Sequence, residues 1–332
     1  VVADKLRELG VVMEGAVICT HTDAGQGMMM WSAMAAHMNA PPLYVPYGHS
    51  LISEWGQAWK SGIDYMSRLW TYEEKVDFWE WAFEHSDFKH LPEFRKEQIR
   101  QGTGYALSAA FQKNSSIAIP SHTGQILSEP HPEISKRFSK VFEQAYIRFL
   151  DLKKAEAQAK EAEIQLALER VRARTMAMQH SSELKDAASI LFQQVELLGV
   201  TTWTSGFQLW EEYRKAVTVW TCTAGVVQQA FRLPADDDRD SFMMQVINAD
   251  QNGEDLYVEE LSGKVLEDHY SYMAELPGLA DNFKSLSDAG IVLPLSQVNH
   301  AAFFSYGYLL FITYEPMPQA HDIFKRFAKV CY

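Results

Sequence analysis

EISKRFSKVFEQAYIRFLDLKKAEAQAKEAEIQLALERVRARTMAMQH, residues Glu133 to His180, is the stretch from which the rest of the chain can be read. Neither Gly nor Pro occurs between Glu133 and Leu198, and Ala, Glu, Lys, Arg, Gln and Leu, all good helix formers, dominate. The pattern predicts one helix from about 133 to about 179, roughly 70 Å long at 1.5 Å per residue. Apolar residues step by three and four along two runs. The first holds Phe142, Ala145, Phe149 and Leu152; the second holds Ile164, Leu168, Val171, Thr175 and Met178. That 3.5-residue period is the seam of a coiled coil. The runs are out of phase, joined through Ala155, Ala157 and Ala159. A rod longer than a domain's own diameter needs a second chain to cover both runs, so a parallel homodimer through this helix is expected. A solvated single linker helix and a folded-back hairpin are the alternatives.

On either side of this helix the sequence repeats. Leu9-Gly10-Val11 recurs as Leu198-Gly199-Val200, Arg137-Phe138-Ser139-Lys140-Val141 as Arg326-Phe327-Ala328-Lys329-Val330, and Trp31 as Trp220, each pair 189 positions apart. Two copies of one domain follow, at 1–132 and 181–332, with 133–180 between them. In the second copy a helix capped by Ser181 or Ser182 is expected to run to Leu198, where Gly199 stops it. Strands are expected at Phe207–Trp210 and Val217–Cys222, then a helix near Ser241–Ala249 after the Asp236-Asp237-Asp238 loop. A strand at Leu256–Leu261, a helix opened by Ser262 and another at Leu279–Ser287 come next. Strand-like segments at Ile291–Leu295 and Ala302–Tyr314 and a helix after Pro318 complete the copy. That order predicts an α+β domain, an antiparallel sheet with flanking helices. Copy one starts later in this plan and copy two stops earlier, so the chain reads as a segment of a longer protein.

Composition narrows the function classes. In 332 residues, 47% hydrophobic and 22% charged is globular composition, large enough for about two domains. A formal charge of −13 disfavours nucleic acid. No apolar run is long enough to insert in a membrane. Three scattered cysteines, Cys19, Cys222 and Cys331, without a CxxC pair fit a reduced cytoplasmic compartment and no thiolate metal site.

Leu168-Glu169-Arg170-Val171-Arg172-Ala173-Arg174-Thr175-Met176-Ala177-Met178, followed by the helix at Ser181, resembles the signalling helix between tandem sensory domains of bacterial histidine kinases and related signal-transduction proteins. The flanking copies resemble GAF-like domains in the Leu-Gly-Val helix end and in Tyr257-Val258-Glu259-Glu260-Leu261. The resemblance implies two GAF-like domains joined by a coiled-coil helix, upstream of an output domain in cis.

Other motifs carry less. In Ser181-Ser182-Glu183-Leu184-Lys185, Ser182 stands where a histidine kinase has its phosphoacceptor His. Asp23-Ala24-Gly25-Gln26-Gly27 matches a kinase nucleotide loop but falls on a hairpin turn in the repeat. Asn248-x-Asp250-x-Asn252-Gly253 with Glu259 nearly fits a calcium loop, yet a strand follows. His85, Asp87 and His90 have metal-ligand spacing in a loop without counterpart in copy two. Aromatics are the better lead. Trp31, Trp55, Trp59 and Trp79 in copy one, and Trp220, Phe242, Met243, His269 and Tyr272 in copy two, are the candidate pocket for a small-molecule ligand, with core packing as the plainer reading. No catalytic residue, metal or required cofactor is indicated. The chain reads as a regulatory segment; a ligand-free dimerisation scaffold and a thiol-dependent reductase are the alternatives.

Overall fold

A computed structural model describes residues 2–21, 26–32, 41–235 and 241–331. They form two compact units, Val1–Ala155 and Glu156–Tyr332. The first contains α1 (Val2–Glu8), β1 (Val17–His21), β2 (Gly27–Ser32), β3 (Leu43–Pro46), α2 (Ser50–Lys60), β4 (Tyr65–Trp70), α3 (Tyr72–His85), α4 (Glu93–Gln101), β5 (Tyr105–Phe111) and β6 (Ser115–Ser121). The unit boundary lies within α5 (His131–Met176), an unbroken helix of 46 residues. The second unit continues with α6 (Leu184–Leu197), β7 (Thr202–Trp210), β8 (Ala216–Thr223), β9 (Val226–Val227), β10 (Phe231–Pro234) and α7 (Ser241–Gln251). It ends with β11 (Leu256–Ser262), α8 (Gly263–Glu275), α9 (Leu279–Asp288), β12 (Ser296–Phe304), β13 (Gly307–Thr313) and α10 (His321–Lys329).

Both sheets are antiparallel and wound alike, in the orders β3-β2-β1-β6-β5-β4 and β10-β8-β7-β13-β12-β11, with β9 on β8. The chain is α+β: two units, each an antiparallel sheet with flanking helices, joined by one long helix. The Leu-Gly-Val repeat has a physical cause. Gly10 (φ 84°) and Gly199 (φ 79°) turn left-handed at the helix ends. The following N–H, of Val11 or Val200, then reaches back to the carbonyl of Leu6 or Val195. This is a Schellman stop, which favours glycine at its left-handed position. Gly253 (φ 75°) does the same after α7, with Glu254 N–H donating to Ala249, so the calcium-like loop is a helix stop leading into β11.

Alternate strand residues serve opposite layers. In unit one, α1 and the start of α5 cover one sheet face through Leu6, Ile117, Ile134 and Phe138; α2 and α3 cover the other through Ile52, Trp55, Phe78 and Trp79. In unit two, the end of α5 with α6 and α10 covers one face through Leu168, Val171, Leu191, Phe311 and Phe327. Helices α7 to α9 lie over the other, which carries Val219, Leu233 and Tyr308.

Several expectations need correction. Ile291–Leu295 is an apolar run outside the sheet, and the strand-like segment expected at Ala302–Tyr314 is instead the end of β12, which begins at Ser296, and the whole of β13. β9 and β10 were too short to show as hydrophobic runs. Glu183, not a serine hydroxyl, closes the start of the helix at 181 by accepting from the N–H groups of Gln179 and His180. Residues 22–25 and the 236–238 loop lie outside the described residues.

The expected seam does not run between chains along its whole length. Ile164, Leu168 and Val171 are buried within unit two itself, and Met178 packs at the edge of that core. Phe142 packs into unit one beside Leu6 and Ile117. Thr175 turns its hydroxyl back to the Arg172 carbonyl. Only Phe149 and Leu152, 51% and 55% exposed, have no such cover. A 3.5-residue period says that one side of a helix is covered, and here α6 and α10 supply that cover. Leu168→Ala should therefore cost unit two about 2–5 kcal/mol, and Leu152→Ala under about 0.5 kcal/mol, in urea unfolding of dilute chain. Equal, small effects would contradict this packing.

On the α10 side of the same core, burial pushes the His300 imidazole down to about 4, with His321 adding to the effect. The unfolded imidazole takes its proton near its ordinary value of about 6.5, while the folded one resists. Stability supplied by neutral His300 is thus full above about pH 6.5 and lost as pH falls toward 4. Calorimetry of the parent should show Tm dropping between pH 7 and 5, with a shallower drop for His300→Gln.

Candidate functional site

Between the sheet of unit two and helices α8 and α9 lies a cavity of about 110 Å³. Its floor is made of residues that strand alternation places on one face: Thr204 and Gln208 of β7, Val219, Thr221 and Thr223 of β8, Gln297 and Asn299 of β12, and Leu310 of β13. Its roof is Tyr270 and Met273 of α8 with Asn282, Phe283 and Leu286 of α9. Phe242, Phe231 and Leu293 close the sides. No Lys, Arg, Asp or Glu is among the described lining residues.

Most of the polar floor satisfies itself. The Tyr270 hydroxyl donates to Gln297 Oε1, and Gln297 Nε2 donates to Asn299 Oδ1 at 2.9 Å. Thr204 donates to Thr223 at 2.9 Å. The Asn282 carboxamide holds both backbone groups of Gln229, tying α9 to the segment after β9. Burial pushes the Tyr270 hydroxyl well above its ordinary range, so it stays a donor. Gln208 is different. It is 1% exposed, and neither its Nε2 nor its Oε1 has a partner. Gln228 donates Nε2 to Val226 but leaves Oε1 unpaired. Each buried orphan costs about 1–3 kcal/mol; Trp55 Nε1 and Trp79 Nε1, in the walls of the smaller chamber of unit one, are orphans too.

Unit one shows what the same place looks like when filled. Ile18 of β1 pairs with Ile117 of β6 where Phe207 of β7 pairs with Leu309 of β13. Counting along the strands from that pair and through the next pairing, Gln208 matches Cys19, Gln297 matches Tyr105, and Asn299 matches Leu107. Three polar side chains of the floor are replaced by less polar ones. Trp55, Trp70, Phe78 and Trp79 crowd the remaining space to about 40 Å³.

The candidate pocket residues therefore divide. Phe242 and His269 line the unit-two cavity. Met243 and Tyr272 lie in the core beside it. Trp220 belongs to the core on the opposite sheet face, packed with α6 and α10, and Trp31 shares strand parity with Met29, away from Met28 and Met30 that face the small chamber. Trp55 and Trp79 wall that chamber. Trp59 stacks on His21 at 3.8 Å and donates to the Lys113 carbonyl. Gln208, Thr221, Gln297 and Asn299 were missed, although polar residues two apart on otherwise buried strands were a usable signal.

The remaining motifs are committed elsewhere. Asp87 accepts from the Tyr44 N–H at 2.7 Å and His85 stacks on Trp81. No cluster able to hold a metal occurs among the described residues. Burial pushes the thiols of Cys19, Cys222 and Cys331 up to about 12, 11 and 12, so none is poised as a thiolate nucleophile.

No family model and no curated protein matches the chain. Among solved structures it is similar to a bacteriophytochrome from the photosynthetic bacterium R. palustris, at 10% identity and a TM-score of 0.34. The match takes in 93% of this chain but 58% of the phytochrome chain, less than two thirds of its length. No helix among the described residues is long and apolar enough to cross a membrane.

Gln208→Leu removes both orphaned atoms at similar volume. It should raise the stability of unit two by about 1–3 kcal/mol, read as a higher urea midpoint. A destabilised variant would mean that the carboxamide already has partners.

Proposed function

We propose that the chain is a sensory segment in which unit two binds a small molecule and α5 carries the bound state onward. The carrying observation is the polar, incompletely satisfied cavity of unit two beside its filled counterpart in unit one. One copy keeps a chamber, and the other serves as a packed mount. Ligand acts by shifting the population of two arrangements, which requires it to bind one of them more tightly.

A physical route runs from cavity to rod. The floor strands β12 and β13 carry α10 on their other face, and Arg326 of α10 grips Glu161 of α5 through two hydrogen bonds at 3.0 and 2.5 Å. In unit one, the buried Glu143 of α5 accepts from Asn114 N–H, Asn114 Nδ2 and Ser115 Oγ, fastening the β5–β6 turn to the same helix. In this reading the chain works in the cytosol, needs no resident cofactor and feeds an output domain in cis. The inert thiols weigh against a reductase.

A homodimer is the second part of this proposal. Phe149 and Leu152 stand exposed on one side of a stretch of α5 that its own units leave uncovered. A second copy laid alongside buries the same residues on both helices, as a two-fold contact does. The ligand-free scaffold remains the competing reading, and a thermal-shift screen of neutral and charged metabolites separates the two: the sensor requires hits, the scaffold gives none. For the dimer, sedimentation velocity at micromolar concentration should show two copies for the parent. Phe149→Glu with Leu152→Glu should give a folded monomer. A monomeric parent would end the dimer proposal.

A further inference from the structure

We propose that the unit-two cavity takes a neutral, flat heterocycle whose edge presents a hydrogen-bond donor beside an acceptor, paired edge to edge with the Gln208 carboxamide. This rests on the reading of that cavity as a ligand site and narrows it to one chemical class. A carboxamide has one acceptor and one donor side by side, and at Gln208 both are buried and unpartnered. A cyclic amide or nucleobase edge satisfies both at once, the pairing by which Gln reads adenine in nucleic acids. An ester or a hydrocarbon leaves one or both orphaned. Gln228 Oε1 is a second unpaired acceptor among the lining residues, so a further N–H on the ligand has a place to go.

The walls set shape and charge. Phe231, Phe242, Tyr270 and Phe283 offer ring faces and edges, which favour a planar guest. With no Lys or Arg among the described lining residues, His269 is the one side chain there able to bring a positive charge. A phosphate or carboxylate would enter without adequate pairing, at a cost that excludes it. At about 110 Å³ the space is smaller than the roughly 150 Å³ of an engineered core cavity that admits benzene. One ring fills it, and a fused pair needs Leu293, on the non-strand segment at the cavity edge, to move outward.

Calorimetric titration of the full chain tests this, with uracil, cytosine and adenine as neutral probes, toluene as an apolar probe, and cyclic AMP as a similar ring bearing a phosphate. At least one base should bind saturably. Gln208→Leu, or the longer Gln208→Met should the first misfold, should weaken that base about 10- to 100-fold and bind toluene at least as well as the parent does. Toluene binding without any base binding, base binding that survives both substitutions, or cyclic AMP binding more tightly than adenine would overturn the heterocycle assignment while leaving a ligand cavity. If no probe binds parent or variant, the cavity reading itself falls.

Discussion

Every strand of both sheets has to satisfy two layers at once, and this constraint organises the molecule. One face of each sheet is spent on holding α5, through Ile117 and Phe138 in unit one and through Phe311 and Leu168 in unit two. The other face is left to the helices that follow β3 and β4 in unit one and β10 and β11 in unit two. Because side chains alternate along a strand, the two faces can carry different side chains while the backbone hydrogen bonds stay the same. The grip on the helix is what the copies share in sequence, at Leu-Gly-Val and Arg-Phe. The opposite face is where they part.

The difference between the copies is chemical rather than architectural. Strand order and helix stops are common to both. On the free face, unit one spends four large aromatic side chains to close its interior, a stable solution because large rings bury much apolar area. Unit two places carboxamides and threonines there, most of them paired with one another, with the Gln208 carboxamide and Gln228 Oε1 left over.

Long-range features were legible in the sequence and facing was not. The absence of Gly and Pro across 133–198 foretold α5 to within three residues at either end, because nothing else makes a backbone of that length. The repeats were visible because Gly10 and Gly199 occupy a backbone conformation that few other residues accept. Trp31 and Trp220 were placed on the right strands and assigned to the wrong face, since parity depends on register. Ile164, Leu168 and Val171 were rightly read as covered, but periodicity carries no record of which chain does the covering. Ile291–Leu295 looked like a strand by composition, yet it forms no ladder, and Leu293 borders the cavity. The polar floor escaped notice because Gln and Asn on a strand ordinarily mean a solvated face.

The most direct measurement of the central claim is diffraction from crystals of the chain held under xenon, which enters apolar space without demanding hydrogen bonds. The account requires a xenon site in unit two among Phe242, Met273 and Leu310, and none among Trp55, Trp79 and Tyr105 of unit one. Xenon in the first unit, or in neither, would contradict the division into one open and one closed copy.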